Sequence, residues 1–258
     1  GAMAQRDRLP QIEVAVGENA TALVLRVLDP PGEADRALLR AFAAQHRVEF
    51  HLQPGGYDTV APLDPPATPL SYSLPEFGVE VGFEPTDFVQ VNADLNRKAV
   101  ALAVALLDPQ PGDAVLDLFC GLGNFSLPLA RRAARGVGVE GEAGPLPRAP
   151  ANAAPNGIRN AEFHAAALAG DPAGAPWARQ AYGRVLLDPP RAGAAATLPL
   201  LGRLRPAPIV YVSCHPASLA RDAGELVREH GYRLVSAGVM DMFPQTAHVE
   251  SVAVFEPG

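Results

Sequence analysis

Residues 114–130 read AVLDLFCGLGNFSLPLA, an apolar run followed by a turn with two glycines and then by a helical pattern. The run predicts a strand over 114–119, and the pattern after the turn predicts a helix over 124–134. Glycines in such a turn let the backbone approach a ligand, and the start of the following helix offers unpaired N–H groups. We therefore interpret Gly121 and Gly123 as parts of a ligand-binding turn.

An acidic residue, Glu140, ends the next predicted strand, where a carboxylate can bind ribose hydroxyls. A dinucleotide fingerprint would also require a third glycine at position 126, but the chain has Ser126 there. The turn therefore predicts a nucleoside cofactor that lacks a pyrophosphate, and S-adenosylmethionine meets this description. The alternative is a tight turn beside a surface acid that binds no ligand.

Strands alternate with helices from residue 94 to the C-terminus. Further strands are predicted over 137–140, 161–165, 184–188, 209–213, 233–239 and 249–255, and further helices over 94–107, 198–204 and 217–229. Such alternation predicts an α/β fold with a doubly wound, Rossmann-like parallel sheet that binds its ligand at the carboxyl ends of the strands. Four prolines between 145 and 155 predict that the helix after Glu140 is short, late or irregular.

The preceding part of the chain predicts a small α+β domain over residues 4–86, ahead of a larger domain over 87–258. Its predicted strands cover 12–16, 22–28, 48–52, 71–74 and 79–83, and its helix covers 33–45. Residues 1–3, Gly-Ala-Met, are interpreted as the remnant of a cleaved tag, and the chain is expected to be a fragment.

Two further motifs follow neighbouring strands of the predicted sheet. Asp188 precedes Pro189 and Pro190, which hold its backbone rigidly at the ligand edge; a helix-capping acid is the alternative. Cys214 ends the next strand directly before a helix, a setting that lowers a thiol pKa and favours a nucleophilic thiolate. The alternative for Cys214 is a small buried side chain, the role that we assign to Cys120 inside the glycine turn.

The last predicted strand opens with an acid, Glu250. A carboxylate at a buried sheet edge is costly unless it is paired or functional, so Glu250 is a candidate general base. The alternative is an exposed acid at the start of a strand.

The composition limits the classes of protein and partner. Of 258 residues, 48% are hydrophobic and 19% are charged, which is typical of a globular chain. No apolar stretch is long enough to span a bilayer and no signal peptide opens the chain, so a cytoplasmic protein without a membrane partner is expected. Two cysteines are too few for a four-thiolate metal site, and no metal ligands are expected. A net charge of −7 argues against strong binding of nucleic acid.

Taken together, these motifs resemble the bacterial RNA 5-methyluridine methyltransferases, from Phe83 to the C-terminus. The resemblance is carried by FVQVN at 88–92, DLFCGLGNFSLPLA at 117–130, GVE at 138–140, LLDPPRAGA at 186–194, YVSCHPASLARD at 211–222 and DMFPQTAHVES at 241–251. Within the family, the pattern is most similar to the enzyme that methylates a uridine of 23S ribosomal RNA and carries an iron–sulfur cluster. The tRNA-modifying branch is the alternative.

The resemblance implies a class I methyltransferase fold, S-adenosylmethionine as cofactor, a flipped-out uridine of 23S ribosomal RNA as substrate, and a monomer. The residues that would contact the cofactor or its junction with the uracil are Gln90, Phe119, Gly121, Gly123, Asn124, Glu140 and Asp188. Cys214 would add to C6 of the uracil, and Glu250 would remove the C5 proton after methyl transfer.

The chain departs from the family pattern at several points. His215 stands in place of the usual Asn, and Ala167 replaces a polar residue that faces the adenine. The family's N-terminal oligonucleotide-binding barrel and cluster cysteines are not in this chain, so the iron–sulfur cluster is expected only in a longer protein. Two other functions are considered: an amino-methyltransferase that uses the Asp-Pro-Pro segment without a covalent step, and a binding module that has lost activity.

Overall fold

The computed structural model describes residues 2–141, 148–170, 172 and 174–258. The chain forms two compact units: residues up to 73 together with 82–91, and residues 74–81 together with 92–258. The predicted domain boundary after residue 86 falls inside the 82–91 segment and stays a prediction.

The first unit is built on a four-stranded sheet with the order β1-β2-β3-β4. Its elements are β1 (Gln11–Val16), β2 (Thr21–Arg26), α1 (Glu33–His46), β3 (Glu49–Gln53) and β4 (Ala61–Pro62). The parallel pair β2 and β3 is joined through α1, whose Leu39 packs with Leu25 and Phe50 in a small apolar core. The predicted strands and helix of this region are therefore confirmed to within about two residues.

A hairpin follows, formed by β5 (Leu70–Leu74) and β6 (Val79–Phe83) around a short 3₁₀ turn at Pro75–Phe77. Gly78 ends this turn with a φ of 57°, a left-handed conformation that glycine adopts without a steric penalty. The predicted hairpin is confirmed.

The second unit contains a seven-stranded sheet. Its strands are β7 (Ala114–Leu118), β8 (Arg135–Glu140), β9 (Ala161–Ala165), β10 (Arg184–Leu187), β11 (Ile209–Ser213), β12 (Tyr232–Met240) and β13 (Glu250–Pro257). Its helices are α2 (Ala93–Leu107), α3 (Ser126–Arg132), α4 (Arg148–Ala153), α5 (Leu198–Leu204) and α6 (Pro216–Arg228).

The strand order of this sheet is β12-β13-β11-β10-β7-β8-β9. From β11 to β9 all neighbours are parallel, whereas β13 and β12 are antiparallel additions at one side. Among the parallel strands, chain order runs outward from β7 through β8 and β9 on one side and continues through β10 and β11 on the other, so the topological switch lies between β7 and β10. The predicted doubly wound α/β fold is confirmed, and its switch point marks the expected ligand edge.

The central strands are apolar because both of their faces are covered. Leu116 and Leu118 on β7 and Leu187 on β10 are fully buried, as parallel strands inside an α/β fold usually are. Helix α4 has only six residues, which agrees with the expectation of a short helix in this proline-rich region. Pro145 and Pro147 lie outside the described residues. No helix in the described ranges combines the length and the apolar character that a membrane crossing requires.

Candidate functional site

Asp188, Cys214 and Glu250 lie at one edge of the seven-stranded sheet. Leu187 pairs with Leu118 on β7 and with Tyr211 on β11, so Asp188 follows a strand that ends level with the glycine turn. Ser213 pairs with Ser251 across β11 and β13. Cys214 and Glu250 are the next residues outward on these two strands, and the register therefore brings thiol and carboxylate side by side.

The turn after β7 is shaped by three left-handed residues. Phe119, Gly121 and Gly123 have φ angles of 68°, 51° and 93°. Left-handed backbone is unstrained for glycine but costly for phenylalanine, and such strain is concentrated at functional sites. The N–H groups of Phe119 and Cys120 both donate to the carbonyl of Val139, at 2.8 and 3.1 Å, which fixes the turn against β8.

Glu140 closes β8 and reaches back to this turn. Its Oε2 accepts a hydrogen bond of 2.9 Å from the N–H of Gly121, and the side chain is largely buried. The acid that was predicted to hold ribose hydroxyls is thus fixed beside the turn that was predicted to hold the nucleoside.

Cys120 has the packing role that the sequence predicted. It is buried, and a Cβ added at Gly138 would lie only 2.9 Å from its Sγ, so the thiol occupies the space that this glycine leaves open. Burial also raises the pKa of the Cys120 thiol, and the nearby Asp117 and Glu140 raise it further. A protonated, enclosed thiol is a poor nucleophile.

Asn124, at the end of the turn, is held by a residue that the sequence analysis missed. Its amide exchanges two hydrogen bonds of 3.0 Å with the amide of Asn96 on α2. Asn96 belongs to a helical pattern and to no glycine turn or strand end. No signal in the sequence marks it, because its partner lies 28 positions further along the chain.

Asp117 is a second residue of this region that motif reasoning left without a role. It is 2% exposed; one oxygen accepts a 2.5 Å hydrogen bond from Ser126, and Oδ1 has no partner within the described part of the chain. Burial raises the pKa of Asp117 to about 7, and the charge of Glu140 adds to this effect. A carboxyl group inside an apolar strand is the sequence signal that could have identified it.

The pKa values of two further acids, Asp188 and Glu250, are also raised. Burial, followed by the charges of Glu250 and Asp117, raises the pKa of the half-buried Asp188 to about 8. Burial raises the pKa of Glu250, which is only 4% exposed, so the alternative of an exposed acid at this position is wrong. Asp188 therefore lies within electrostatic reach of both Glu250 and Asp117.

The predicted lowering of the Cys214 pKa is wrong. The thiol is half-buried, and desolvation, Glu250 and Asp188 raise its pKa, in this order. Arg191 acts in the opposite direction but does not outweigh the two acids. The start of α6 favours a lower pKa, but burial and the acids at the ends of other strands outweigh it.

His215 caps helix α6. Its Nδ1 accepts a 3.3 Å hydrogen bond from the N–H of Ser218, which is the interaction that an asparagine N-cap would make. The hydroxyl of Ser218 donates to the carbonyl of Arg191 at 2.5 Å and so connects α6 to the loop after Asp188. The histidine therefore keeps the local geometry in which asparagine is usual.

Gln90 and Ala167 are two further positions that the sequence analysis named. Gln90 lies in the first unit; its side chain is half-buried, and its Oε1 is enclosed with no hydrogen-bond partner among the described residues. Ala167, after β9, is exposed.

Within the described ranges no three His, Cys, Asp or Glu side chains form a group that could hold a metal ion. The expected iron–sulfur cluster of a longer protein stays a prediction.

A family model described as tRNA (Uracil-5-)-methyltransferase matches residues 80–171 and 173–256. Two curated proteins named 23S rRNA (uracil(1939)-C(5))-methyltransferase RlmD are similar over 248 residues, or 96% of this chain. They are the proteins of Xanthomonas axonopodis pv. citri, at 57% identity, and of Stenotrophomonas maltophilia K279a, at 56%. The chain spans 56% of the length of these relatives.

Two solved structures share the fold. The Pyrococcus abyssi tRNA (uracil-54, C5)-methyltransferase, in complex with S-adenosyl-L-homocysteine, has a TM-score of 0.72 at 24% identity, over 94% of this chain and 58% of that one. M. jannaschii TYW2 in complex with AdoMet has a TM-score of 0.59 at 14% identity, over 95% of this chain and all of that one.

The class I methyltransferase fold is thereby confirmed, and with it the resemblance that the motifs carried. Most of the second unit lies within the matched residues, including the glycine turn and the strand ends that carry Asp188, Cys214 and Glu250. The chain is a member of the tRNA (uracil-5-)-methyltransferase family.

Proposed function

We propose that the chain transfers a methyl group from S-adenosylmethionine to C5 of a uridine in 23S ribosomal RNA, through a covalent bond between Cys214 and C6. The observation that carries the proposal is the register that sets Cys214 beside Glu250, one strand away from Asp188. An amino-methyltransferase would leave both the thiol and Glu250 without a role.

The charges at the sheet edge favour S-adenosylmethionine over a nucleotide. The site contains four carboxyl groups, and their ionised forms attract a sulfonium and an ammonium group but repel a pyrophosphate. They belong to Asp117, Glu140, Asp188 and Glu250. We assign Glu140 to the ribose, the turn with Gly121, Gly123 and Asn124 to the nucleoside, and Phe119 and Asp188 to the junction with the uracil. Gln90, which the resemblance implies as a further contact, belongs to the first unit and stays a prediction.

Cys214 and Glu250 divide the chemistry between them. The Cys214 thiolate adds to C6, and the electrons of the C5=C6 bond move to C5 and O4, which makes C5 a nucleophile. When bound, the cofactor supplies the electrophilic methyl group that C5 takes up. Glu250 then accepts the C5 proton, the C5=C6 bond forms again, and the bond from C6 to Cys214 breaks.

A comparison of sequence identities favours ribosomal RNA as the substrate. The curated relatives at 57% and 56% identity are named for a uracil of 23S rRNA, whereas the tRNA enzyme is only 24% identical. A methylation assay that offers a 23S rRNA fragment and a tRNA in competition tests this choice. Methylation of the tRNA alone would favour the tRNA branch. Cytoplasmic location and a monomeric state are part of the same proposal.

Glu140→Ala is expected to weaken the binding of S-adenosylmethionine ~10- to 100-fold, because a charged acceptor for the ribose is lost together with the bond to Gly121. Isothermal titration measures this effect. Glu162→Ala on the neighbouring strand β9 removes an exposed acid and serves as the control. Equal affinity of the Glu140 variant and the wild type would contradict the assignment.

The affinity for S-adenosylmethionine is expected to rise between about pH 6 and about pH 9. The pKa values of Asp117 and Asp188 are raised to about 7 and about 8, so these acids are protonated at the lower pH and gain negative charge as the pH rises through these values. The sulfonium charge is attracted by the ionised forms.

S-adenosylhomocysteine is the matched control for this titration, because it keeps the amino acid and the nucleoside but lacks the sulfonium charge. Its affinity should rise less over the same range. An identical pH response of the two ligands would contradict the electrostatic assignment.

The chain is expected to bind RNA weakly, since affinity for RNA depends on the neutralisation of phosphates and the net charge here is −7. Gel retardation with a 23S rRNA fragment at physiological salt should give a dissociation constant in the micromolar range or weaker. Nanomolar retention by this chain would contradict the expectation.

A further inference from the structure

Helix α2 carries two asparagines one turn apart, Asn92 and Asn96. Asn92 caps the helix: its Oδ1 accepts from the N–H of Leu95 at 3.2 Å, and its Nδ2 donates to the carbonyl of Met242, also at 3.2 Å. Met242 is buried. The start of the helix is therefore fixed by contacts both within α2 and to the segment that precedes Glu250.

Asn96 extends from this fixed helix into the site. It is 3% exposed, and its Nδ2 donates to Oδ1 of Asn124 while its Oδ1 accepts from Nδ2 of Asn124, both at 3.0 Å. The two amides thus form a closed, reciprocal pair. A buried amide left without partners loses the interactions that it had with water, so this pairing is strongly preferred.

The reciprocal pair couples the orientation of the Asn124 amide to that of the Asn96 amide. An Asn124 amide rotated by half a turn would set donor against donor and acceptor against acceptor at Asn96. Asn124 belongs to the turn in which Phe119, Gly121 and Gly123 are left-handed, so the same pair also restrains the turn.

We propose that Asn96 is a positioning residue for the methyl donor: it orients the Asn124 amide and so pre-forms the cofactor turn before the ligand arrives. The inference rests on the proposed cofactor site at Asn124, because Asn96 acts through that residue. A turn that is already ordered does not lose further conformational freedom on binding, which increases the affinity.

Isothermal titration with S-adenosylmethionine on the whole chain tests the proposal through a double-mutant cycle. Asn96→Ala is expected to weaken binding ~10-fold, since two hydrogen bonds that orient Asn124 are lost. Asn124→Ala should also weaken binding. In the Asn124→Ala background, the further change to Asn96→Ala should alter the affinity less than twofold, because its target is gone.

Asn160→Ala provides the control for general destabilisation. The Asn160 amide donates to the carbonyls of Ala130 and Ala133 at the end of α3, away from the glycine turn. This variant should lower the melting temperature as Asn96→Ala does, but leave the affinity for S-adenosylmethionine unchanged. If Asn96→Ala does not fold, Asn96→Asp keeps an acceptor for Asn124 and is expected to show a smaller loss of affinity.

The outcomes separate this inference from the proposed cofactor site. If Asn124→Ala binds S-adenosylmethionine like the wild type, the assignment of the turn to the cofactor is wrong. If Asn124→Ala weakens binding and neither Asn96 variant does, the cofactor turn stands and the positioning role of Asn96 is overturned. Independent, additive losses in the cycle would overturn the positioning role as well.

Discussion

Cys214→Ala is expected to abolish both methyl transfer and any covalent bond between the chain and RNA. The uracil C5 is a weak nucleophile until a group has added to C6, and Cys214 is the half-buried thiol at the sheet edge beside Glu250. Removal of a covalent catalyst leaves no path to the activated carbon. Transfer of tritium-labelled methyl groups to a 23S rRNA fragment measures the first effect, and denaturing electrophoresis measures the second.

Cys120→Ala is the matched control, because it removes the other thiol of the chain from a buried position. Its cavity should cost ~1 kcal/mol of stability. The variant should still form the adduct and methylate RNA. Methylation by Cys214→Ala would contradict the covalent mechanism and would favour the amino-methyltransferase alternative.

Glu250→Gln is expected to accumulate the covalent complex instead of preventing it. Glutamine keeps the size of the side chain but cannot accept the C5 proton, so attack and methyl transfer proceed while release does not. Loss of a general base typically slows a reaction ~10²- to 10⁴-fold. Electrophoresis under denaturing conditions should therefore show a persistent protein–RNA band and almost no turnover.

Glu256→Gln tests an acid on the same strand, which forms an ion pair with Arg233 away from the strand start. It should turn over like the wild type and accumulate no adduct. Normal turnover by Glu250→Gln would show that the base lies elsewhere, and Asp188 and His248 would be the next residues to change.

Because the pKa of Cys214 is raised, ligand binding must increase the fraction of this thiol that is ionised. In the structure, burial and the acids Glu250 and Asp188 favour the thiol over the thiolate. A positive charge near Sγ has the opposite effect, as Arg191 already shows. The sulfonium of the cofactor would add to the effect of Arg191, so cofactor binding would increase the thiolate fraction.

The parts of the fold that could be predicted from the sequence are those that depend on residues close together in the chain. The run at 114–118 is apolar because β7 is buried on both faces, and it ends where Gly121 and Gly123 allow a left-handed turn. Strand ends in a doubly wound sheet meet at one edge, so Asp188 and Cys214 could be placed together from their positions in the chain.

The features that the sequence did not predict depend on neighbours that are distant in the chain. Asn96 and Asn124 pair across 28 positions, and nothing in the α2 pattern marks the first of them. The pKa of Cys214 is raised, not lowered as predicted, because burial desolvates the thiol and because Glu250 lies on an antiparallel strand that returns to the same edge. The assignment of residues 74–81 to the second unit follows from packing alone.

The most direct test of the covalent mechanism is mass spectrometry of the chain after incubation with S-adenosylmethionine and a 23S rRNA fragment that contains 5-fluorouridine. The RNA is supplied at high micromolar concentration to offset weak binding. Fluorine at C5 cannot be removed as a proton, so the adduct should persist after digestion. We expect a methylated 5-fluorouridine bonded to the peptide that contains Cys214. Methylation of the natural fragment, together with no nucleotide on Cys214, would contradict it.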